Sequence, residues 1–446
     1  MGTTDPVVAS ETLTTCPECL THLPPVRSET PWCECGWSSA PDPVLEQART
    51  WARPKDKAKF ERRITRDRET ARIRAERDRR LLQQRQGSVR RRLLWSSNLL
   101  LGVAMVSIVQ GLRALLFLAV CALIALAVIH KFWIFAVVGV AGILLTWLLF
   151  RTPRRDPGYM LRPEGTPELQ KLVADLARKG RVKPPAELRL SRGSNFSAYT
   201  RIRWLPWPRL EHVIVIGLLS MHILTRAQFR AIVAHELAHF RNWDTTLALY
   251  VGNTVNMLED WLRPELGIRH DIPVGCNPVS WVMWLLRAVA VLYYRMLILV
   301  TAATLRRQEL LADQFAAQLT SAEACTSMLI QPRAFGAAFA DHSSSIGQLI
   351  ISGRDTRDWY TQFSARWASM SERHKQKYYS QAAASFRSRY DSHPAYQDRY
   401  AALRPLAAHT GEPGQDDLSP AISSLPNAQQ IGETLTQRWI EVGNRD

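Results

Sequence analysis

The longest apolar stretch of the chain covers residues 93–150, where only Arg113 and Lys131 carry a charge. Within it, residues 114–129 and 132–150 form two uninterrupted apolar runs, each close to the ~20 residues that a helix needs to cross a bilayer. Both runs are apolar on every side, whereas a helix that packs on a soluble domain keeps a polar face. The pattern therefore predicts a transmembrane helical hairpin of two spans.

The flanks of this region predict how it lies in the membrane. The first span would use the later part of residues 99–129, preceded by an interfacial segment at 93–98, with the turn at residues 130–131. Three arginines precede the region at 90–92, and three more follow it at 151, 154 and 155. Because basic residues favour the cytoplasmic side, both ends of the hairpin are expected there. A domain that follows the hairpin would then face the cytosol.

A second apolar stretch, residues 279–305, contains Arg287 and Arg295. Burying two arginines in a bilayer is costly unless they are paired or reach the interface. We therefore expect a long helix that packs in a catalytic domain or lies at the bilayer surface. A further span is the less favoured alternative.

Shorter patterns predict a sheet and a helix. The β-branched run at 212–216 predicts a strand, and residues 195–204 predict a second strand just before it. Either backbone could add an extended peptide at a sheet edge, and the sequence does not decide which strand is the edge. Residues 228–234 lack Gly and Pro and predict a helix, with Thr225 as its N-cap.

The C-terminal part of the chain alternates helical patterns with a turn-rich stretch. Helical patterns continue to Leu403, and those at 359–390 predict a helix layer that closes the domain. Residues 405–427, rich in Gly, Pro and Ser, predict a linker, and residues 428–442 predict a terminal helix. With 446 residues, of which 46% are hydrophobic, the chain can bury a sizeable core.

The net charge of +17 is concentrated ahead of the first apolar region. Residues 47–92 hold 18 Lys and Arg against 6 Asp and Glu, and residues 55–86 lack Gly and Pro. This composition predicts a charged helical stalk that ends at the membrane. Attraction of about 1 kcal/mol per basic residue makes anionic headgroups of the lipid bilayer the expected partner, in preference to nucleic acid.

The strongest chemical signal is the pentapeptide HELAH at 235–239. At i and i+4, His235 and His239 project from one helix face and can share one metal ion. Glu236, beside the first histidine, can reach a metal-bound water, as a hydrolytic zinc site requires. The alternative is a helix whose two histidines face solvent or pack in a core.

A zinc site of this kind needs a third protein ligand. Metzincins place a Gly and a His at the positions that Asn242 and Thr245 occupy here, so that route is closed. Further along, residues 306–313 read RRQELLAD, which puts Glu309 and Asp313 on one helix face. Glu309 can then bind the metal while Asp313 accepts the other ring N–H of a ligand histidine. The alternative is a solvated acidic pair.

These motifs resemble those of the M48 zinc metallopeptidases, a family that includes the heat-shock protease HtpX and the CAAX prenyl proteases. The resemblance covers residues 160–405 and rests on AIVAHELAHFRNWD at 231–244, RRQELLAD at 306–313 and SHPAYQDR at 392–399. It implies a mainly α chain with an α+β zincin-type catalytic domain, in which the HExxH helix is joined by a Glu-bearing helix. The chain departs from HtpX and the CAAX proteases in its N-terminal cysteines and basic segment, so their substrates are not carried over.

The resemblance also implies residue roles and one catalytic Zn²⁺. The implied roles are zinc ligands at His235, His239 and Glu309, a catalytic Glu236 and a supporting Asp313. Three protein ligands leave a position for water, whose proton Glu236 would take as general base. The resemblance further suggests that His393 or Arg399 lies near the site and could stabilise the oxyanion. For His393, the alternative is an ordinary turn before Pro394.

Four of the seven cysteines lie within the first 35 residues: Cys16, Cys19, Cys33 and Cys35. Two thiolate pairs resemble a small zinc ribbon and predict a structural Zn²⁺. The second pair has one intervening residue where two are usual, and free or redox-active thiols are the alternative. Disulfides are disfavoured in the cytosol. The other cysteines are isolated and are expected to pack in the fold: Cys121, Cys276 and Cys325.

The sequence thus predicts five parts: a zinc-ribbon-like module at 1–45, a basic stalk at 46–92, a transmembrane region at 93–152, a metallopeptidase domain at 156–405, and a linker with a terminal helix at 406–446. The leading hypothesis is a zinc metalloendopeptidase of the bacterial inner membrane, with a cytoplasmic N-terminus and catalytic domain, that cleaves membrane or membrane-proximal polypeptides. The alternative is a non-proteolytic membrane scaffold that binds protein or nucleic acid. Glu236 favours the enzyme, since a binding module needs no such base.

Overall fold

The computed structural model describes residues 97–129, 159–203, 209–241, 278–351, 358–383, 393–409 and 415–443. Single residues outside these ranges are also described: Cys33, Arg66, Ile73, Trp207, Val251, Thr254, Val255, Leu258 and Leu262. Most of the predicted cysteine module and basic stalk, and the second predicted span, lie outside the described residues.

Helix α1, Ser97–Ile129, contains the first predicted span within one continuous helix of 33 residues. It begins at Ser97, inside the segment expected to be interfacial. Large apolar side chains are exposed along its whole length, among them Leu101, Ile108 and Leu126. A helix that is apolar on every side is typical of a protein core or a membrane.

One sheet contains all four described strands: β1 Tyr159–Leu161, β2 Glu187–Ser191, β3 Ser197–Arg203 and β4 Arg209–Gly217. The strand order is β1-β2-β4-β3, with β2 and β4 parallel and the two outer pairs antiparallel. The predicted strands at 195–204 and 212–216 are therefore β3 and β4. Of these two strands, β3 lies at an edge of the sheet, opposite the edge formed by β1, whereas β4 is paired on both sides.

Helix α2, Pro167–Lys179, connects β1 to β2 and follows a short 3-10 turn at Pro163–Gly165. Proline at its first position suits a helix start, because the missing N–H would have no partner there. Leu169, Val173 and Leu176 recur at helical spacing and are buried against the core.

Two helices follow the sheet: α3, Leu218–Met221, and α4, Arg226–Arg241. The backbone N–H of Gln228 donates to Thr225 Oγ1 over 3.3 Å, and the N–H of Thr225 donates to Gln228 Oε1 over 3.0 Å. This reciprocal pair is a capping box that satisfies two otherwise unpaired donors. The N-cap predicted at Thr225 is confirmed.

Six further helices complete the described fold, and the first two of them pack on α4. They are α5 Pro278–Leu319, α6 Ala322–Ile351, α7 Trp359–Ser369, α8 Glu372–Ala383, α9 Tyr396–Leu403 and α10 Ala428–Gly443. Helices α7 and α8 correspond to the helix layer predicted at 359–390. Cys325, expected to pack, is buried in the core, and burial raises the pKa of its thiol to about 12.

Residues 415–425, predicted as part of a linker, are instead packed against the start of α4. They form two 3-10 turns, Gln415–Leu418 and Ala421–Ser424. Ser419 O accepts the N–H of Arg226 and Leu224 O accepts the N–H of Ala421, both over 2.8 Å. This segment, rich in Pro and Ser, therefore forms turns rather than an extended linker. It supplies a hydrogen-bond acceptor for a backbone N–H in the first turn of α4, where no intrahelical carbonyl is available. The terminal helix α10 follows, as predicted.

Helix α5 packs on α1 through its middle part, around residues 293–301, and enters the domain core at its C-terminal end. Val106 and Leu297 are buried in a small apolar cluster with Val251 and Leu258. Tyr293 Oη donates to Met105 O over 2.7 Å. Ala288–Leu319 is the one segment of the described chain that is long and apolar enough to cross a membrane, by length and composition.

Candidate metal centre

Helices α4 and α5 bring three predicted ligands together. His235 and His239 are one turn apart on α4, with ring centroids 5.0 Å apart and the rings edge to face. Glu309 reaches them from α5. One ligand atom from each of the three residues lies within 4.8 Å of the others, and all three side chains are buried or nearly so. The i, i+4 spacing on α4 and the crossing of α5 produce this convergence.

The spacing of these atoms fits a zinc ion. His235 Nε2 lies 3.6 Å from Glu309 Oε2, and His239 Nε2 lies 3.6 Å from Glu309 Oε1. Both separations exceed the usual N–H···O range of about 2.7–3.2 Å. Zinc bonds of about 2.0–2.2 Å at tetrahedral angles put neighbouring ligand atoms about 3.3–3.5 Å apart. The donor set and its geometry therefore suit a shared metal ion better than direct hydrogen bonds.

Asp313 holds the first histidine in place. His235 Nδ1 lies 2.9 Å from Asp313 Oδ1, and the aspartate has no exposed surface. Arg399, at the start of α9, donates to both oxygens of Asp313, from Nη2 over 2.6 Å and from Nε over 2.7 Å. A carboxylate at Nδ1 leaves Nε2 as the metal-facing nitrogen.

The buried charges of the centre favour a cation. Three carboxylates, from Glu236, Glu309 and Asp313, stand against the single guanidinium of Arg399 in this part of the described chain. Burial alone would lower the pKa of His235, but its contacts with Asp313 and Glu309 outweigh burial and raise that pKa to about 10. The centre therefore stabilises positive charge between the two helices.

The sequence profile of peptidase family M48 matches residues 163–407, which include both metal-site helices and α9. The match covers more than half of the chain. The chain belongs to peptidase family M48. Peptidases of this family depend on zinc, so the chain is a metallopeptidase with peptide substrates. No curated protein and no solved structure shows a significant match to the chain.

Glu236 lies in the buried part of α4 in this M48 peptidase. Burial on its own would lower the pKa of Arg399, but the carboxylates of Asp313, Glu309 and Glu236 together raise it. Glu236 is therefore close enough to interact with the same guanidinium that holds Asp313. The structure brings this predicted catalytic residue to the metal centre.

The two residues predicted near the site, His393 and Arg399, are both found there, in different surroundings. His393 Nδ1 lies 3.2 Å from Glu309 Oε2, and 61% of the His393 side chain is exposed. Arg399 is mostly buried, with Nη2 3.8 Å from Glu309 Oε2, and its donors face Asp313. His393 thus lies at the open side of the centre and Arg399 on its inner side.

The described residues do not test the predicted structural zinc site. Cys33 is described and buried, whereas Cys16, Cys19 and Cys35 lie outside the described part of the chain. The cysteine module therefore stays a prediction.

Sequence reasoning left the substrate-binding strand open, and the sheet order assigns the edge to β3. Phe196, next to β3, contacts Phe229 of α4 with ring centroids 6.0 Å apart. Thr200 on β3 is hydrogen-bonded to His212 Nδ1 over 2.9 Å, and His212 stacks on Phe240 of α4 at 4.4 Å. The edge strand therefore runs beside the helix that carries the two histidines. The order of strands in the sheet decides this, and it depends on the pairing of β4 with β2.

Proposed function

We propose that this M48 peptidase is a membrane-embedded zinc endopeptidase in which His235, His239 and Glu309 hold the zinc ion. The observation that carries the proposal is the meeting of three ligand atoms from two helices inside the family-matched domain. A chance HExxH sequence would not bring a third carboxylate to the same point with a supporting aspartate behind it.

Glu236 acts as the general base in this proposal. Bound zinc supplies a Lewis acid that lowers the pKa of the attacking water and polarises the peptide carbonyl. Glu236 takes a proton from that water and passes it to the leaving amine. The burial of Glu236 on α4 favours this role, because a carboxylate shielded from bulk water transfers a proton to its immediate neighbour.

Arg399 and His393 have different roles in this proposal. Arg399 is a positioning residue, because the observed contacts of its guanidinium hold Asp313, which in turn orients His235. His393, exposed at the open side of the centre, is the candidate for stabilising the oxyanion of the tetrahedral intermediate.

The outer edge of β3 is the proposed substrate-binding surface. An edge strand can pair with an extended peptide through main-chain hydrogen bonds, which give affinity without demanding one sequence. Among the described residues β3 has no strand partner on its outer side, and it runs next to α4, so a peptide bound there would lie beside the helix that carries His235 and His239. Cleavage within a polypeptide, as an endopeptidase does, requires such an open site.

Membrane embedding is supported by the apolar surfaces of α1 and α5. Exposed Leu101 and Ile108 on α1, and exposed Val289 and Leu292 on α5, belong to two helices that pack on each other. The arginines at 90–92 and 151–155 favour a cytosolic catalytic domain by the positive-inside rule. We therefore propose inner-membrane placement, with anionic lipid around the basic stalk and membrane or membrane-proximal proteins as substrates.

A second, structural zinc ion at Cys16, Cys19, Cys33 and Cys35 is part of the proposal. Its support is the spacing of four cysteines in a segment too short to build a core.

The metal site is tested by zinc content of the full-length protein purified in detergent. Glu309→Gln removes one charged ligand, so this variant should carry one zinc ion fewer per chain than the wild type, whether or not the cysteines hold another. Glu323→Gln, an exposed glutamate in the first turn of α6, is the matched control and should keep the wild-type content. Equal zinc in all three proteins would contradict the assignment.

A further inference from the structure

The β3–β4 hairpin has an apolar face and a basic face near its tip. Ile202 and Leu210 are cross-strand partners, and Arg203 and Arg209 are partners at the next position. Because successive side chains of a strand point to opposite faces, the arginines lie on the face opposite the apolar pair. Trp207 follows in the connection, and 79% of it is exposed, more than any other large apolar side chain that the structure describes.

The basic face carries more positive than negative charge. Its described members are four arginines and two carboxylates: Arg189, Arg201, Arg203, Arg209, Glu187 and Glu211. Glu211 accepts from Arg203 over 3.3 Å and from Arg209 over 3.2 Å, yet the side chains of these two arginines remain 56% and 55% exposed. Each can therefore meet a further anionic group while keeping its contact with Glu211.

The tip of the hairpin lies beyond the C-terminal end of α4. Thr200 and His212 are level with Phe240, one residue before α4 ends. Three further residues on each strand carry the tip about 10 Å past this level. Thr254, among the next described residues after α4, contacts α1, since it accepts from Gln110 over 2.9 Å. The tip therefore extends past the end of α4 that leads along the sequence to this contact with α1.

We propose that the β3–β4 hairpin tip inserts into the interfacial layer of an anionic bilayer. Trp207 and Ile202 enter the headgroup region, where tryptophan is favoured, and Arg203 and Arg209 contact lipid phosphates. The proposal rests on the proposed membrane embedding. It adds that the substrate-binding edge of β3 begins at the membrane surface, so that a polypeptide leaving the bilayer meets the edge strand first.

The test measures the depth of a nitroxide label in the full-length protein in nanodiscs that contain phosphatidylglycerol. A ketone-bearing amino acid at position 207 carries the label, which leaves the native cysteines untouched. The same label replaces Ile108 on α1 as the bilayer reference, and Leu418 as the aqueous reference. Leu418 is exposed near the N-terminal end of α4, opposite the hairpin tip. A helix of 16 residues separates the two ends by about 24 Å.

The proposal predicts that the labels at 207 and 108 are relaxed by dissolved oxygen more than by a water-soluble nickel chelate, whereas the label at 418 shows the reverse. A label at 207 that behaves like the one at 418, while 108 remains in lipid, overturns the hairpin proposal alone. A label at 207 shielded from both relaxing agents indicates contact with protein and also overturns it. If 108 is accessible to the nickel chelate as well, both the membrane placement and the hairpin proposal fail.

The role of the arginines is tested separately in the same nanodiscs. In the double variant Arg203→Gln with Arg209→Gln, the label at 207 should become at least twice as accessible to the nickel chelate. Replacing phosphatidylglycerol with phosphatidylcholine should have the same effect on the otherwise unaltered chain. An unchanged accessibility in both cases would overturn the assignment of the arginines to lipid phosphates.

Discussion

At the scale of single residues, Asp313 links the metal ligand His235 to the buried Arg399. One oxygen faces His235 Nδ1, both oxygens accept from Arg399, and the Asp313 side chain has no exposed surface. The buried carboxylate is therefore compensated by a buried guanidinium, and an uncompensated charge there would cost several kcal/mol. This arrangement explains why a residue 86 positions from Asp313 belongs to the site.

Arg399→Lys tests this positioning role. Lysine keeps the charge but cannot make the two-pronged contact with Asp313. We expect zinc affinity or kcat/KM to fall by about 10- to 100-fold, as is usual for partners of metal ligands. Zinc titration and peptide cleavage measure the two quantities.

The matched control for this prediction is Arg404→Lys, an exposed arginine at the end of α9. It should leave both quantities within about twofold, as surface substitutions usually do. A similar loss in both variants would indicate general damage to α9 and would count against the specific role of Arg399.

At the scale of elements, the connection between the sheet and α4 depends on a close backbone approach at Gly217. This glycine ends β4 and precedes α3. A Cβ built on Gly217 would lie 2.6 Å from the backbone carbon of Ser194, which is closer than real contacts allow. The loop between β2 and β3 therefore rests directly on the residue that leads into α3, the short helix that precedes α4.

Gly217→Ala should consequently destabilise the catalytic domain, because backbone must shift to admit the methyl group. We expect a loss of about 1–3 kcal/mol in the free energy of unfolding, measured by denaturant or thermal unfolding in detergent. Gly165→Ala is the control, since a Cβ there meets no atom within 4 Å. If both variants unfold together with the wild type, the close approach at Gly217 is not a constraint.

Element-scale features differ in how far the sequence predicts them. The i, i+4 spacing of His235 and His239 and the cap at Thr225 are local, so a helical pattern was sufficient to predict both. The edge position of β3 and the packing of residues 415–425 depend on contacts between distant parts of the chain. Composition alone made the second of these look like a linker, because Pro and Ser serve 3-10 turns as well as linkers.

At the scale of the whole molecule, one helix, α5, both packs on α1 and carries a residue of the metal centre. It is one helix of 42 residues that contacts α1 near Thr301 and carries Glu309 about 12 Å further on. The sequence predicted a helix at 279–305 but not its partner, because apolar surfaces on two segments carry no information about which of them meet. The described partner of α1 is α5, while the predicted second span at 132–150 lies outside the described residues.

Gly102→Leu tests the coupling through α5. A Cβ on Gly102 would lie 2.9 Å from Thr301 Cγ2, so a larger side chain must push α1 and α5 apart. We expect lower peptidase activity, by up to about 100-fold if Glu309 is displaced by about 1 Å. Gly111→Leu, where no atom lies within 4 Å of the added Cβ, should keep wild-type activity in the same membrane. Equal activity of the two variants would show that α1 packing does not affect the metal centre.

The most direct test of the central claim compares wild type with Glu236→Gln at equal zinc content, on a disordered reporter tethered to the membrane. Glu236 is not one of the three ligands, so the variant should keep its zinc and lose cleavage by at least 100-fold, since a positioned general base contributes about 10²–10⁴ in rate. Glu168→Gln, an exposed glutamate of α2, should cleave like the wild type. Cleavage that survives in the Glu236 variant would contradict the proposed mechanism, and zinc binding without cleavage by the wild type would favour the scaffold alternative.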